Sequence, residues 1–246
     1  MRVAAIVVSH GHPAELAQSL PALEPQVDEL VVIANVPGSV PEGIDAVSND
    51  RPLGFGANVN RGVAMTEAEL VVSANPDAVP NPGAVAELRS FMEARPRCGV
   101  AGPRMVFPDG RWQPSRRRFP TVFGTIVRRT PLRLVVPQRH HFHLDEAPPE
   151  APVQADWMLG GFLMLRRSML EELGGFDEGF RLYGEDIDLQ YRAMQAGWER
   201  WYVPAAVVSH EHKAETDTRW LTRRTLWHWR GVARFVRKHP ERLRAL

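Results

Sequence analysis

The chain has 246 residues, 44% of them hydrophobic, enough to bury a sizeable core and to exclude a disordered segment as the starting assumption. Its 30 Lys and Arg balance 29 Asp and Glu at a net charge of +1, so no global basic field marks it as a nucleic-acid binder. One cysteine excludes an internal disulfide, and no stretch reaches the ~18 uninterrupted apolar residues of a membrane span. The chain is therefore expected in the cytoplasm.

Val3 to Ser9 reads as a fully buried strand, followed by a turn at Gly11-His12-Pro13 and a helix with Leu16, Leu20 and Leu23 on one face. Leu30 to Ala34 predicts a second strand and Ile44 to Ser48 a weaker third. A Gly-rich turn at Leu53-Gly54-Phe55-Gly56 then leads into a helix over Ala57 to Met65. Leu70 to Ala74 is another apolar strand running into Asn75-Pro76-Asp77, and Pro82 starts a helix to about Ala94. Strands alternating with helices at this spacing imply a mostly parallel sheet covered on both faces.

Cys98 falls in a short apolar strand and reads as a core residue. Met105 to Phe107 and Arg111 to Gln113 flank Pro108-Asp109-Gly110, a hairpin signal because Asp-Gly supplies the positive backbone angles of a tight turn. Residues 128–152 lack periodicity and read as a mobile surface loop. His140, His141 and His143 lie there with no thiols nearby and are not read as a zinc site. A strand from Met158 to Leu165, a short helix over Ser168 to Leu173 and a helix from Glu185 to Ala196 follow. Two short strands come next, Trp201 to Val203 and Ala206 to Val208. Arg219 to Leu246 is basic and carries Trp220, Leu221, Leu226, Trp227, Trp229, Val232, Phe235 and Val236 at mostly helical spacing. Such a helix either lies on an acidic membrane or docks on its own domain.

Glu185, Asp186 and Asp188 concentrate three carboxylates where a loop turns into a helix. They either complement the positive end of the helix dipole or supply a fixed base that still faces a cleft. Asp77 follows a buried strand, at the carboxyl edge where open α/β sheets bind ligands, and a carboxylate there can hold Mg²⁺ or Mn²⁺ against phosphates. Gly54 to Gly62 lacks the third glycine of a dinucleotide fingerprint, since Val59 holds its place, which disfavours hydride transfer. Its backbone amides, with Asn58 or Asn60, suit a phosphate or a base edge. Arg116, Arg117 and Arg118 form a guanidinium cluster suited to phosphates of a donor or of a lipid diphosphate, or else a solvated face.

In this order and spacing, several segments together make the chain resemble glycosyltransferase family 2. They are Ser9-His10-Gly11, Asn49 with Gly54 to Gly62, Asn75-Pro76-Asp77, Gln113 to Pro120, Asp156 to Gly161, Gly174 to Glu178 and Tyr183 to Leu189. The likeness is to the bacterial rhamnosyltransferase-like branch and extends from Val3 to about His210. It implies a GT-A fold, an α/β architecture with a Rossmann-like, mostly parallel central sheet, helices on both faces and a smaller acceptor-side region. The corresponding division is a domain over 1–218, with a nucleotide-sugar half to about 104 and an acceptor and catalytic half from 105, followed by a basic helix over 219–246.

The resemblance further implies Asp186 as catalytic base with Glu185 beside it, and Asp77 and His210 as metal ligands. Asn75 stands where many relatives have a first aspartate. Ser9, Asn35, Asn49, Gly54, Gly56, Asn58, Asn60, Asn75 and Asp77 fall on the donor side, and Asp156, Trp157 and Arg117 on the acceptor side. It implies inverting transfer of a sugar, rhamnose in this branch, from a dTDP- or UDP-sugar to a hydroxyl of a cell-surface glycan or its lipid-linked precursor. Such an enzyme uses Mg²⁺ or Mn²⁺ and works in the cytoplasm; the C-terminal helix either gives it peripheral contact at the inner face of the membrane or docks on its own domain. Two other classes stay open: a nucleotide-sugar-binding scaffold without turnover, and a nucleotidyltransferase. The latter would want a glycine-rich, lysine-containing loop after the first strand, which Ser9 to Ala14 does not supply.

Overall fold

The fold is seen in a computed structural model that describes residues 1–120, 147–211 and 223–243. The expectations for residues 128–146, including His140, His141 and His143, and for Trp220 and Leu221 lie outside the described residues. Strand β1 (Val3–Ser9) is buried along its whole length. Alternate residues face opposite layers: Val3, Ala5 and Val7 join one core cluster, and Ile6 and Val8 the other. Helices α1 (Pro13–Leu23) and α3 (Ala84–Glu93) cover the first face through Leu16, Leu20, Leu88 and Met92. Helices α2 (Phe55–Val63), α4 (Arg167–Leu173) and α5 (Glu185–Gln195) cover the second through Val59, Met169, Leu170 and Leu189.

The remaining described strands are β2 (Glu29–Ala34), β3 (Val47–Ser48), β4 (Leu70–Ala74), β5 (Ala78–Pro80), β6 (Cys98–Val106), β7 (Trp112–Gln113), β8 (Arg116–Arg117), β9 (Val153–Gln154), β10 (Trp157–Met158), β11 (Phe162–Arg166) and β12 (Glu199–His210). The main sheet runs β3-β2-β1-β4-β11-β6-β12-β5, with β7 and β9 added at its side, and β10 pairs β8 in a small second sheet. Strands β3, β2, β1 and β4 are mutually parallel, as are β6 and β12, while β11 runs antiparallel between β4 and β6. The layered α/β architecture, mostly parallel at its centre, is the one expected.

The differences from expectation have local causes. The third strand keeps only its last two residues, and α3 starts after Gly83, whose φ of 83° ends the approach to the helix. The Asp109-Gly110 turn forms as expected, pairing Met105 with Gln113 and Val106 with Trp112. Two short strands after Trp201 are in fact one, β12, bent by an irregular register between Val203 and Val207. Conversely, the strand expected from Met158 to Leu165 is two strands in two sheets, broken at Gly160-Gly161. Helix α6 (Arg223–Lys238) lies on the same body, with Phe235 and His239 buried. The main sheet takes strands from both sides of residue 104. Among the described residues, no helix is long and apolar enough to cross a membrane.

Helix α2 approaches β1 so closely that a side chain at Gly62 would sit 2.4 Å from Ile6 Cγ2. Gly62→Ala is therefore expected to lower the free energy of unfolding by about 1–3 kcal/mol through overpacking. Urea denaturation measures the change.

Candidate active site

The direction of the strands brings distant segments to one edge. β1, β2, β4, β6 and β12 all end there and β11 begins there, so Ser9, Asn35, Asn75 to Asp77, Gly161 and His210 are gathered at the carboxyl edge of the parallel strands. Gly160 and Gly161 pass through the middle of this group. A Cβ on Gly160 would lie 3.2 Å from Asp186 Cβ and Oδ2, and one on Gly161 would lie 3.0 Å from His210 Nε2 and from Met105 Cε. Two consecutive residues without side chains thus let the α5 carboxylate approach one face of the backbone and the β12 imidazole the other. Asp77 Oδ1 lies 3.5 Å from His210 Nε2, which puts Asp77 and Asp186 on the two flanks of one dipeptide.

His210 is held by two amides. Asn75 Nδ2 donates toward Nε2 at 3.2 Å, and Gln113 Oε1 faces Nδ1 at 3.2 Å. Burial lowers the imidazole to a pKa of about 4, so it is neutral near pH 7 and its contact with Asp77 is not an ion pair. Burial also raises Asp77. A carboxylate oxygen and an imidazole nitrogen thus lie side by side, donor types that suit a divalent cation. Among the described residues no group of three His, Cys, Asp or Glu forms a cage. Two protein ligands leave the other positions to phosphate oxygens and water, as is usual for Mg²⁺ beside a nucleotide.

On the other flank, Asp186 Oδ2 accepts from Gly160 N at 3.1 Å and Oδ1 from Ile187 N at 2.9 Å, while the residue stays partly open to solvent. Burial raises its pKa against the opposing effect of these amides. Glu185 is raised further by burial and by the charge of Asp186, and its Oε2 is buried with no hydrogen-bond partner. Asp186, which has the amide donors, is accordingly the carboxyl that ionises first. Gln190, fully buried one turn on, accepts from Met158 N at 2.8 Å and donates to Met158 O at 2.8 Å and Asp186 O at 3.2 Å. It fastens the first turn of α5 to β10.

Several expected donor-side residues are engaged within the protein. Ser9 Oγ donates to Ser39 O at 2.6 Å, and buried Asn58 donates to Gly54 O and accepts from Asn49. Asn60 bonds both the amide and the carbonyl of Phe176. Side chains at Gly54 and Gly56 would meet Phe180 O at 2.6 Å and Phe176 Cβ at 2.8 Å, so close packing against the loop before α5 accounts for both glycines. Asn35 donates to Leu53 O and His10 Nδ1 and accepts from Leu53 N and Asn49, which shapes the wall of a depression of about 450 Å³. Asn49, Asp50, Arg51, Leu53 and Arg61 line it.

Of the residues expected on the acceptor side, Trp157 is buried with Nε1 donating to Arg118 O at 2.7 Å, opposite Arg117 on β8. Asp156 Oδ2 accepts from Phe119 N at 3.0 Å. Sequence reasoning assigned no role to Gln113, Gln190, Asp50, Arg51 or Arg61. The Gly160-Gly161 break carried a usable signal, since glycine inside a strand pattern marks close backbone approach.

Residues 71–244 match the sequence model described as glycosyl transferase family group 2. The chain is 36% identical over 186 residues to N-acetylglucosaminyl-diphospho-decaprenol L-rhamnosyltransferase of Mycobacterium tuberculosis H37Rv, covering 68% of this chain and 58% of that protein. It is 37% identical over 82 residues to rhamnosyltransferase WbbL of Escherichia coli K12, covering 33% of this chain and 30% of the other. The chain thus spans little more than half the length of the mycobacterial relative. Among solved structures, GalNAc-T7 with UDP, GalNAc and Mn²⁺ superposes at a TM-score of 0.62 with 16% identity, over 85% of this chain and 43% of that one. The mannosyltransferase PcManGT of Pyrobaculum calidifontis with GDP-Man and Mn²⁺ gives 0.56 with 15% identity, over 98% and 72%. These two share the GT-A fold.

Replacing Gln190 by Ala strands the amide and carbonyl of Met158. The variant is expected to lose about 2–4 kcal/mol of unfolding free energy, because buried polar groups left unpaired cost more than the bond itself is worth. Chemical denaturation checks this.

Proposed function

We propose, from the premise that this chain belongs to glycosyl transferase family group 2, that it transfers a rhamnosyl group with inversion from a nucleotide diphosphate to a hydroxyl of a lipid-linked glycan precursor. The observation that carries the reading is the Gly160-Gly161 passage, which sets Asp186 on one side and His210 with Asp77 on the other. A donor lying along this passage would have its sugar beside the base and its diphosphate beside the cation-binding pair. The rhamnosyl donor and the lipid diphosphate acceptor follow from the names of the two relatives above.

In the proposed reaction the acceptor hydroxyl oxygen bonds to the anomeric carbon while the bond from that carbon to the diphosphate oxygen breaks. Asp186 takes the hydroxyl proton, and one displacement inverts the configuration. Asp77 and His210 would hold Mg²⁺ or Mn²⁺, which supplies counter-charge for the departing diphosphate. The depression lined by Asn49, Asp50, Arg51, Leu53 and Arg61 takes the nucleoside, with Asn35 fixing the Leu53 wall. On the outward face of α6, exposed Trp229, Arg230 and Arg237 present an aromatic and basic surface suited to anionic headgroups. Phosphatidylglycerol vesicles should therefore sediment the protein; a chain that stays in solution at low salt removes the membrane part of the reading.

With dTDP-rhamnose, Mn²⁺ and an N-acetylglucosaminyl diphosphate lipid, Asp186→Asn is expected to lower kcat by about 10²–10⁴-fold. The Kd for the donor should stay within about twofold. His210→Ala should abolish the Mn²⁺ dependence of nucleotide binding seen by calorimetry. Undiminished transfer by Asp186→Asn, or Mn²⁺-dependent binding by His210→Ala equal to wild type, overturns the assignment. Because Asp186 is raised, it stays protonated into a higher pH range than a free aspartate, so the acid limb of kcat/KM should lie above the ordinary aspartate value. By the same sign, stability linked to the raised pair is greatest in acid and declines as pH rises through their folded values.

A further inference from the structure

Asp188 lies two residues beyond Asp186 and is wholly buried. An acid that merely complements a helix dipole has no need of burial, and this one takes Arg192 Nε at 2.7 Å, Lys238 Nζ at 2.9 Å and His239 Nε2 at 2.9 Å. Two of these partners come from the end of α6, about fifty residues away in the chain. Lys238 also reaches Asp177 at 2.8 Å, where Arg234 NH2 joins it at 2.6 Å. Burial alone would raise Asp177, yet these hydrogen bonds hold its carboxyl well below the usual range.

The same helix touches the turn that leads into α5. Tyr183 has a φ of 69° and Gly184 one of 101°, so two successive residues adopt left-handed backbone immediately before Glu185. For a tyrosine that conformation is disfavoured and persists only where its surroundings over-determine it. Gly231 of α6 comes so near that a Cβ there would meet Tyr183 O at 2.4 Å. Phe180, the other wall of the turn, packs with Tyr191 and Phe235 in one cluster.

We propose that α6 is a positioning strap, whose Gly231 seat against Tyr183 and Lys238-His239 grip on Asp188 hold the strained turn that aims Asp186 at Gly160. The inference rests on the reading of Asp186 as the base. Gly231 and His239 act through Asp186 and are positioning residues.

The test uses the full chain with dTDP-rhamnose, Mn²⁺ and the N-acetylglucosaminyl diphosphate lipid. Gly231→Ala and His239→Ala should each lower kcat at least tenfold with the KM for dTDP-rhamnose within twofold. Hydrogen exchange should quicken at the amides of residues 180–190 and stay unchanged in β1 and β4. His239→Gln, which keeps a donor toward Asp188, should recover more than half of the lost kcat, and Ala233→Ser on the exposed face should match wild type. Wild-type kcat with unchanged exchange in Gly231→Ala and His239→Ala overturns the strap. So does a loss that falls equally on kcat, donor KM and melting temperature with no rescue by His239→Gln. An active Asp186→Asn sinks the base instead, while the exchange result still reports on the strap. Should Gly231→Ala fail to fold, the His239 pair of variants decides alone.

Discussion

Two residues without side chains govern the geometry of the site. At Gly160 and Gly161 the chain leaves one sheet and enters another between a carboxylate and an imidazole, and a single methyl group on either residue would crowd one of them. The elements that carry these two groups belong to different layers. Asp186 comes from a helix covering one face of the sheet, and His210 from the end of β12 within the sheet itself. The backbone between them also serves chemically, since Gly160 N donates to Asp186 and Gly161 O accepts from Asn75 N. Few side-chain torsions separate one flank from the other, which is what a site held to a fraction of an ångström requires.

Much of this was legible in the sequence because it depends on local periodicity. The buried first strand, the Asp109-Gly110 hairpin, the strand into Asn75-Pro76-Asp77 and the helix beginning at Glu185 each follow from spacing within about ten residues. The two glycines at 160 and 161 signal a break, but the apolar run from Met158 to Leu165 satisfies the strand pattern on both sides and outweighs it. The reversed direction of β11 and the small strand β5 depend on pairing with residues more than sixty positions away.

The asparagines show the same limit at the level of the site. Asn35, Asn49, Asn58 and Asn60 stand in a segment that suits ligand contacts, and residue type alone cannot tell an amide that faces a ligand from one that ties two loops together. The structure shows Asn58 and Asn60 in the second role, and shows Asn35 bonded on both sides to Leu53. Gln113 and Gln190, by contrast, fall within expected segments that give neither side chain a role of its own. Their importance comes from burial beside His210 and Asp186, a property of the assembled core.

The closure of α6 over Asp188 sets an order of events during synthesis. Translation yields every candidate site residue from Ser9 to His210 before Lys238 and His239 exist, so the nascent chain holds Asp188 with Arg192 alone of the three side chains it later pairs with. The turn through Tyr183 and Gly184 lacks its Gly231 support over the same interval. A chain cut near residue 220 thus keeps every described strand of the sheet while the turn before α5 lacks its α6 support.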